Sequence, residues 1–170
     1  MVRCALTGTP GTGKTSISDF LDTKVVHLSE YYEEASESKT KSGEWLIDLD
    51  KINTIVKESN FKDVLFEGHT SHTLDNLEMV ILLRCDPLVL RERLIKRNYS
   101  KEKINENLEA EALNIIFDEV VDNISEDKVF QLDTTYQNPE QSAKKLMSFM
   151  NGNIKLDESY DYSERIMEWY

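Results

Sequence analysis

The chain has 170 residues, 39% of them hydrophobic, a formal net charge of −12 and two cysteines. That length supports one domain with a real core, and two cysteines are too few for a disulfide or metal framework, so Cys4 and Cys85 read as buried thiols in a reducing, cytoplasmic setting. No apolar run is long enough to cross a bilayer, no signal-peptide pattern precedes the first strand, and the acidic balance works against non-specific nucleic-acid binding, which needs cations on phosphates.

Val2-Arg3-Cys4-Ala5-Leu6-Thr7 reads as a short, mostly apolar strand of a buried parallel sheet. It runs into Gly8-Thr9-Pro10-Gly11-Thr12-Gly13-Lys14-Thr15, a complete G-x-x-x-x-G-K-[ST] phosphate-binding loop. Glycines let backbone N–H groups converge on phosphates without side-chain clash. Lys14 brings positive charge to the β- and γ-phosphates of a nucleoside triphosphate, and Thr15 offers a hydroxyl to Mg²⁺. Thr9, Gly11, Thr12, Gly13, Lys14, Thr15 and Ser16 are the residues expected to cradle ATP. The next residues predict a helix through Leu21, with Ile17, Phe20 and Leu21 on one face. Strand, glycine loop and helix is the order the motif requires.

Lys24-Val25-Val26-His27-Leu28 reads as a second strand, with Ser29 placed to cap a short helical segment. Residues 35–43 are polar and predict a mobile loop. Acid gathers over residues 29–50: Glu30, Glu33, Glu34, Glu37, Glu44, Asp48 and Asp50 stand against Lys39 and Lys41 alone. The tail, residues 155–170, is acidic as well. Such surfaces suit either a basic partner or simple solubility. Leu49, Ile52, Ile55 and Val56 give a helix over 48–59. Asp63-Val64-Leu65-Phe66 predicts a third strand ending at Glu67-Gly68-His69, and residues 77–83 a fourth ending at Arg84-Cys85-Asp86.

Pro87 suits the first turn of a helix reaching Arg97. Asn98-Tyr99-Ser100 breaks it, and Ser100 is placed to cap one long helix carrying Ile104, Leu108, Ala112, Ile115 and Ile116 at helical spacing. Residues 128–133 predict a fifth strand, and Pro139 opens a last helix reaching Met150. From Asn151 on periodicity fades, which fits a segment that wraps the surface or stays disordered. Alternating strands and helices imply an α/β fold: a parallel sheet with helices on both faces. Ligands in such sheets bind beyond the carboxyl ends of the strands, which collects the glycine loop, Ser29, residues 67–72 and Asp86 at one edge.

A phosphate loop works with an acid at the end of another apolar strand, which holds Mg²⁺ directly or through water. Glu67 fits that place, making Thr15 and Glu67 the candidate metal residues. His69 and His72 lie close enough to suggest zinc, but no recognisable further ligand set accompanies them. His69 is better read as a group that orients a water or an acceptor phosphate, and His72 as structural. Phosphoryl transfer also wants cations around the moving group. Arg93 and Arg97 share a helix face, and Arg97 sits where a small lid would hinge. Lys14, Glu67, His69 and Arg97 are the candidate catalytic residues.

The loop, Glu67-Gly68-His69, Arg97-Asn98-Tyr99 and the residues from Lys103 to Asn107 together resemble the adenylate kinase isoenzyme 6 family, small adenylate-kinase-like ATPases of small ribosomal subunit assembly. The resemblance implies a P-loop nucleoside monophosphate kinase fold over 1–170 with a five-stranded sheet of order 2-3-1-4-5. It implies a monophosphate-binding segment over 28–50, a short lid over 98–108 and a C-terminal tail over 151–170. It further implies transfer of phosphate from ATP to AMP or another nucleoside monophosphate, hydrolysis of ATP, and association with a basic small-subunit ribosomal protein. One departure stands out: no arginine occurs between Arg3 and Arg84, although such kinases clamp the acceptor phosphate with an arginine in that segment. Lys39, Lys41 or a lid arginine is the available substitute. An ATP-switched assembly factor and a small-molecule kinase of the same fold are the rival readings.

Overall fold

The structure, a computed structural model, describes residues 3–40, 45–156 and 159–168. Five strands form the central parallel sheet: β1 (Cys4–Thr7), β2 (Val25–His27), β5 (Leu65–Glu67), β6 (Met79–Arg84) and β7 (Val129–Asp133), side by side in the order β2-β5-β1-β6-β7. Counted within this sheet alone, that is the expected 2-3-1-4-5. The numbering shifts because β3 (Ser36–Lys39) and β4 (Trp45–Ile47) pair antiparallel as a separate two-stranded sheet.

Both faces of the large sheet are covered, as near-continuous apolar strands require. On one face Cys4, Leu6, Leu65, Ile81, Leu83 and Leu132 pack against Ile17 of α1 (Lys14–Ser18) and Ala143 and Leu146 of α6 (Pro139–Met150). On the other, Val26, Val64 and Phe66 meet Ile52 and Val56 of α2 (Leu49–Glu58), while Ala5 and Val80 meet Val120 of α5 (Ile115–Asn123). Helices α3 (Pro87–Lys96) and α4 (Lys101–Ala112) pack on each other through Leu90, Leu94, Ile104 and Leu108. Both cysteines are buried free thiols, their pKa pushed up by burial to about 11 for Cys4 and about 12 for Cys85. No helix among the described residues is long and apolar enough to cross a membrane.

Several element ends follow their local chemistry. Asp86 accepts from the amide of Leu88 ahead of Pro87, and Ser100 from that of Lys103, so both helices start where expected. Asn138 and Gln141 close a reciprocal capping box on α6. Ser29 does not cap: residues Leu28–Tyr31 form a single 3₁₀ turn with no side-chain cap.

Three expectations are corrected. The loop expected over 35–43 contains β3, whose sequence Ser-Glu-Ser-Lys has no apolar alternation of its own. Its order comes from β4, which turns Trp45 and Ile47 inward, and from Ala35, fully buried, whose carbonyl accepts from the amide of Asp48 at 2.8 Å. Lys41 and Glu44 lie outside the described residues. The helix expected through Leu21 ends at Ser18, where three-residue hydrogen bonds from Phe20 to Ile17 and Leu21 to Ser18 tighten the winding and leave Phe20 55% exposed. The single long helix after Ser100 is two helices, because Asn114 takes a left-handed conformation (φ 58°) between them, one that Asn tolerates better than most residues. Of the two courses expected for the tail, its described residues take the first and lie on the surface of the fold. Arg84 donates to the Tyr160 carbonyl (3.2 Å) and lies over the Tyr162 ring, and Arg165 pairs with Asp86 at 2.8 Å.

Candidate active site

The carboxyl ends of β1, β2, β5 and β6 open on one edge, and the glycine loop leaves β1 there. A Cβ on Gly8 (φ +141°) would stand 2.6 Å from the Leu83 carbonyl oxygen. One on Gly11 (φ +95°) would stand 2.7 Å from a Leu90 methyl. The loop is therefore pressed onto β6 and α3, and only glycine fits at either place. Lys14 is nearly buried, and its Nζ donates to the carbonyls of Gly8 (2.7 Å) and Thr9 (3.1 Å). Burial lowers its pKa to about 8, with the Arg97 charge acting the same way and Glu67 and Glu111 opposing. An ammonium disfavoured by burial and by a neighbouring cation is a group that a bound anion stabilises.

The hydroxyls of two expected loop contacts are committed inward. Thr9 Oγ1 donates to Glu111 Oε2, and Thr12 Oγ1 to the Thr9 carbonyl at 2.8 Å. These threonines shape the loop and leave a ligand only their backbone. Gly13 sits at the start of α1 in the left-handed region, and Ser16 follows in the first turn of that helix. Thr15 Oγ1 donates instead to Glu67 Oε1 at 3.2 Å.

Glu67 ends β5 and is 5% exposed. Its second oxygen accepts from His27 Nδ1 at 2.7 Å. The parallel register of β2 on β5 sets His27 directly beside Glu67. Sequence reasoning missed His27, although the strand order placed the ends of the second and third strands next to each other. Among the described residues no three His, Cys, Asp or Glu converge as a metal cage. A hydroxyl and one carboxylate instead fit Mg²⁺, which keeps several waters and takes further oxygens from bound phosphates.

His72 is structural, as expected. Nearly buried, it meets the Thr7 hydroxyl through Nδ1 (2.9 Å) and Glu119 through Nε2 (3.2 Å). His69 is different. Part of its ring is open to solvent, and Tyr32 stands edge-on to it with the phenol oxygen 3.3 Å from Nδ1. Burial of the rest of the ring, reinforced by the charges of Lys14 and His72, lowers its pKa to about 4. His69 is thus neutral at pH 7. In the tautomer with its proton on Nε2, Nδ1 accepts from the Tyr32 hydroxyl and the ring is a hydrogen-bond donor to an oxygen in front of it.

Pro10, Gly11, Lys14, Thr15, Glu67, His69 and Arg97 line one cavity of about 450 Å³. The structure thus brings the four candidate catalytic residues together. Its far wall is Ser29, Tyr32, Trp45 and Ile47, and Tyr99 and Lys103 close it from the start of α4. Arg97 ends α3 and is exposed; Asn98 after it adopts φ 58° and turns the chain. Arg93, one turn earlier, is held away by hydrogen bonds to the carbonyls of Thr134 (2.6 Å) and Thr135 (3.2 Å). Lys39 does not line the cavity: its ammonium stands 3.7 Å over the Trp45 ring.

Beneath the loop lies a buried pair that the sequence reading also missed. Arg84 and Glu111 are each 2% exposed and meet at 2.9 Å. Glu111 further accepts from the Cys85 amide (3.0 Å) and from Thr9, and Arg84 further donates to Gln131 (2.8 Å). The signal was present: Glu111 falls on the stripe of Ile104 and Leu108, where a carboxylate is out of place unless paired.

Residues 5–114 match the model of the AAA domain family. The chain is 32% identical to a Methanococcus maripaludis protein named "Putative adenylate kinase", over 93% of this chain and 97% of the relative. It is 37% identical to a Halobacterium salinarum protein of the same name, over 89% and 92%. Among solved structures, shikimate kinase from Acinetobacter baumannii in complex with shikimate superposes with a TM-score of 0.61 at 15% identity, over 90% of this chain and 94% of that one. Deoxyadenosine kinase from M. mycoides with bound dATP gives 0.54 at 16%, over 89% and 100%. At those identities the two structures share the fold alone, a P-loop kinase fold. The chain belongs to the AAA domain family and is related over most of its length to archaeal proteins that carry the adenylate kinase name.

Proposed function

We propose that this chain is a Mg²⁺-dependent phosphotransferase of adenylate kinase type, moving the γ-phosphoryl group of ATP to AMP and yielding two molecules of ADP. The observation that carries this reading is one cavity, beside the glycine loop, that Lys14, Glu67, His69 and Arg97 all line. The names of the archaeal relatives support it.

The bond from the γ-phosphorus to the β-bridging oxygen breaks as one forms to an acceptor phosphate oxygen. Little covalent work falls to the protein, so its residues position and neutralise. The loop amides and Lys14 hold the triphosphate. Thr15 and Glu67 would hold Mg²⁺, which supplies charge neutralisation at the β- and γ-oxygens. His27, bonded to the far oxygen of Glu67, fixes the carboxylate's orientation. Arg97 meets the charge on the moving group, and neutral His69 donates from Nε2 to an oxygen of the acceptor. The test is ATP turnover with purified protein, alone and with each nucleoside monophosphate. AMP-dependent ADP formation well above the acceptor-free rate is the expected result.

A second reading is favoured by a specific observation: Glu30, Glu33, Glu34 and Glu37, all exposed, follow β2 beside the cavity's far wall. A carboxylate rim of this kind suits a basic protein partner. In that reading the chain hydrolyses ATP slowly as a switch in small ribosomal subunit assembly. ADP formation indifferent to any monophosphate, together with salt-sensitive binding of a basic ribosomal protein, would favour it over the kinase. Phosphate transfer to a small hydroxylated metabolite in place of a nucleotide would favour the small-molecule kinase.

A further inference from the structure

Within the kinase reading, on which this inference rests, we propose that the acceptor is held from two opposite sides: its base stacks on Trp45 of β4, and its phosphate is anchored by Lys103 of α4.

The argument starts from charge. An acceptor phosphate needs a cation, and the chain has no arginine between Arg3 and Arg84. Among the described residues the cavity's cationic lining is Lys14, Arg97 and Lys103, every one from the glycine loop or from the α3–α4 side. Lys14 and Arg97 serve the donor phosphates. Lys39 is turned out of the cavity onto the indole. The far side carries the exposed carboxylates Glu30, Glu33 and Glu34, which repel an anion. The acceptor phosphate therefore sits toward Lys103, in the first turn of α4, where Glu106 at 3.3 Å is a partly solvent-exposed partner that a phosphate can displace.

The rest of the acceptor then points to the opposite wall. Apart from Ser29, that wall is aromatic and apolar: Tyr32, Trp45 and Ile47. Tyr32 is committed to His69. Trp45 is half-buried, lines the cavity, and carries a cation over its ring outside the cavity lining. An indole supported in this way is a platform for a flat, π-rich ring, and stacking on it accepts any base. The ligand class is thus a nucleoside monophosphate, read by its ring and its phosphate. A sugar phosphate lacking a base would lose the Trp45 half of the contact.

Trp45 and Trp169 are the chain's two tryptophans, so a Trp169→Phe background makes Trp45 a lone fluorescent reporter. Titrating AMP into that protein should change its emission, and ribose 5-phosphate should not. In turnover, Trp45→Leu and Lys103→Ala should each raise the KM for AMP about tenfold and leave the KM for ATP within twofold. Trp45→Phe and Lys103→Arg should restore most of the loss. An unchanged ATP KM also certifies that each variant is folded. Unaltered emission at AMP concentrations that saturate turnover, or an AMP KM within twofold of the parent in both loss variants, overturns the inference and leaves the kinase reading standing. An emission change with AMP in a protein that transfers no phosphate supports the site and removes the kinase reading.

Discussion

The two ends of the cavity are built by different means. The donor end is backbone: a loop pressed onto β6 and α3, with its lysine and threonines tied to buried partners. The acceptor end is side chain: Tyr32, Trp45 and Ile47 on a short turn and a two-stranded sheet, closed from α4 by Lys103. Backbone geometry tolerates one solution, whereas a wall of half-exposed side chains can be repacked. The donor end should therefore be brittle and shared with many triphosphate users, and the acceptor end adjustable and particular to this chain.

The largest expected effect breaks the donor end. Lys14→Ala removes the ammonium that meets the β- and γ-phosphates and should lower ATP turnover by about a thousandfold. The fold should survive, because Lys14 bonds only two loop carbonyls and its buried charge is an electrostatic cost. Circular dichroism and urea unfolding check the second half of that statement. Undiminished turnover would remove Lys14 from the site.

Next comes the support beneath the loop. Glu111→Ala leaves Arg84 without its carboxylate at 2% exposure and releases Thr9. Removing one partner of a buried pair costs about 3–5 kcal/mol, read from urea unfolding. The Gln131 and Tyr160 contacts of Arg84 place the expectation at the lower end. A comparable loss should not follow Trp45→Leu, since Trp45 is only half-buried. If the two variants destabilise equally, the contrast between a rigid donor end and an adjustable acceptor end fails.

A pH titration sharpens the same contrast. Burial lowers the Lys14 pKa from 10.5 to about 8, and a bound polyphosphate favours the charged form and raises it again. Below pH 8 the free protein is already protonated, so triphosphate affinity is flat. Above pH 8 binding must take up a proton, and affinity falls by about tenfold per pH unit up to the pKa of the complex. Fold stability runs the other way. The depressed folded pKa penalises the charged form fully below about 8, and the penalty is relieved as pH rises toward 10.5. Calorimetry in two buffers of different ionisation enthalpy reads the proton uptake directly. Flat affinity from pH 8 to 9.5 would contradict the assignment.

The donor end was legible because its motif demands residue types at fixed spacing, and strand ends collect at one edge once the order 2-3-1-4-5 is granted. Lys14, Thr15 and Glu67 followed from that alone. His27 and the Arg84–Glu111 pair were not read, because each depends on a contact between elements far apart in sequence. β3 was unreadable for a related reason: Ser36–Lys39 has no strand pattern, and its order is borrowed from Trp45 and Ile47 across the hairpin. Asn114 cuts a stretch with unbroken helical spacing, and periodicity does not register a single left-handed residue.

The smallest expected effect tests how the two ends communicate. Tyr32 belongs to the acceptor wall, yet its hydroxyl meets His69 Nδ1 at 3.3 Å, on the loop after Glu67. When Tyr32 donates in that contact, the ring proton is held on Nε2. Tyr32→Phe keeps the edge-on ring packing and frees Nδ1, so the tautomer that donates from Nε2 is no longer selected. One hydrogen bond of this kind is worth about 1 kcal/mol, a loss of about fivefold in the kcat of AMP-dependent turnover. The KM for ATP should not move, because Tyr32 lies across the cavity from the glycine loop. His69→Ala in the same assay should lose more than Tyr32→Phe, and adding Tyr32→Phe to it should change little, since a residue that acts through His69 has nothing left to position. Additive losses would mean that Tyr32 touches the acceptor on its own account, and the acceptor wall would then hold two independent contacts in place of one relay.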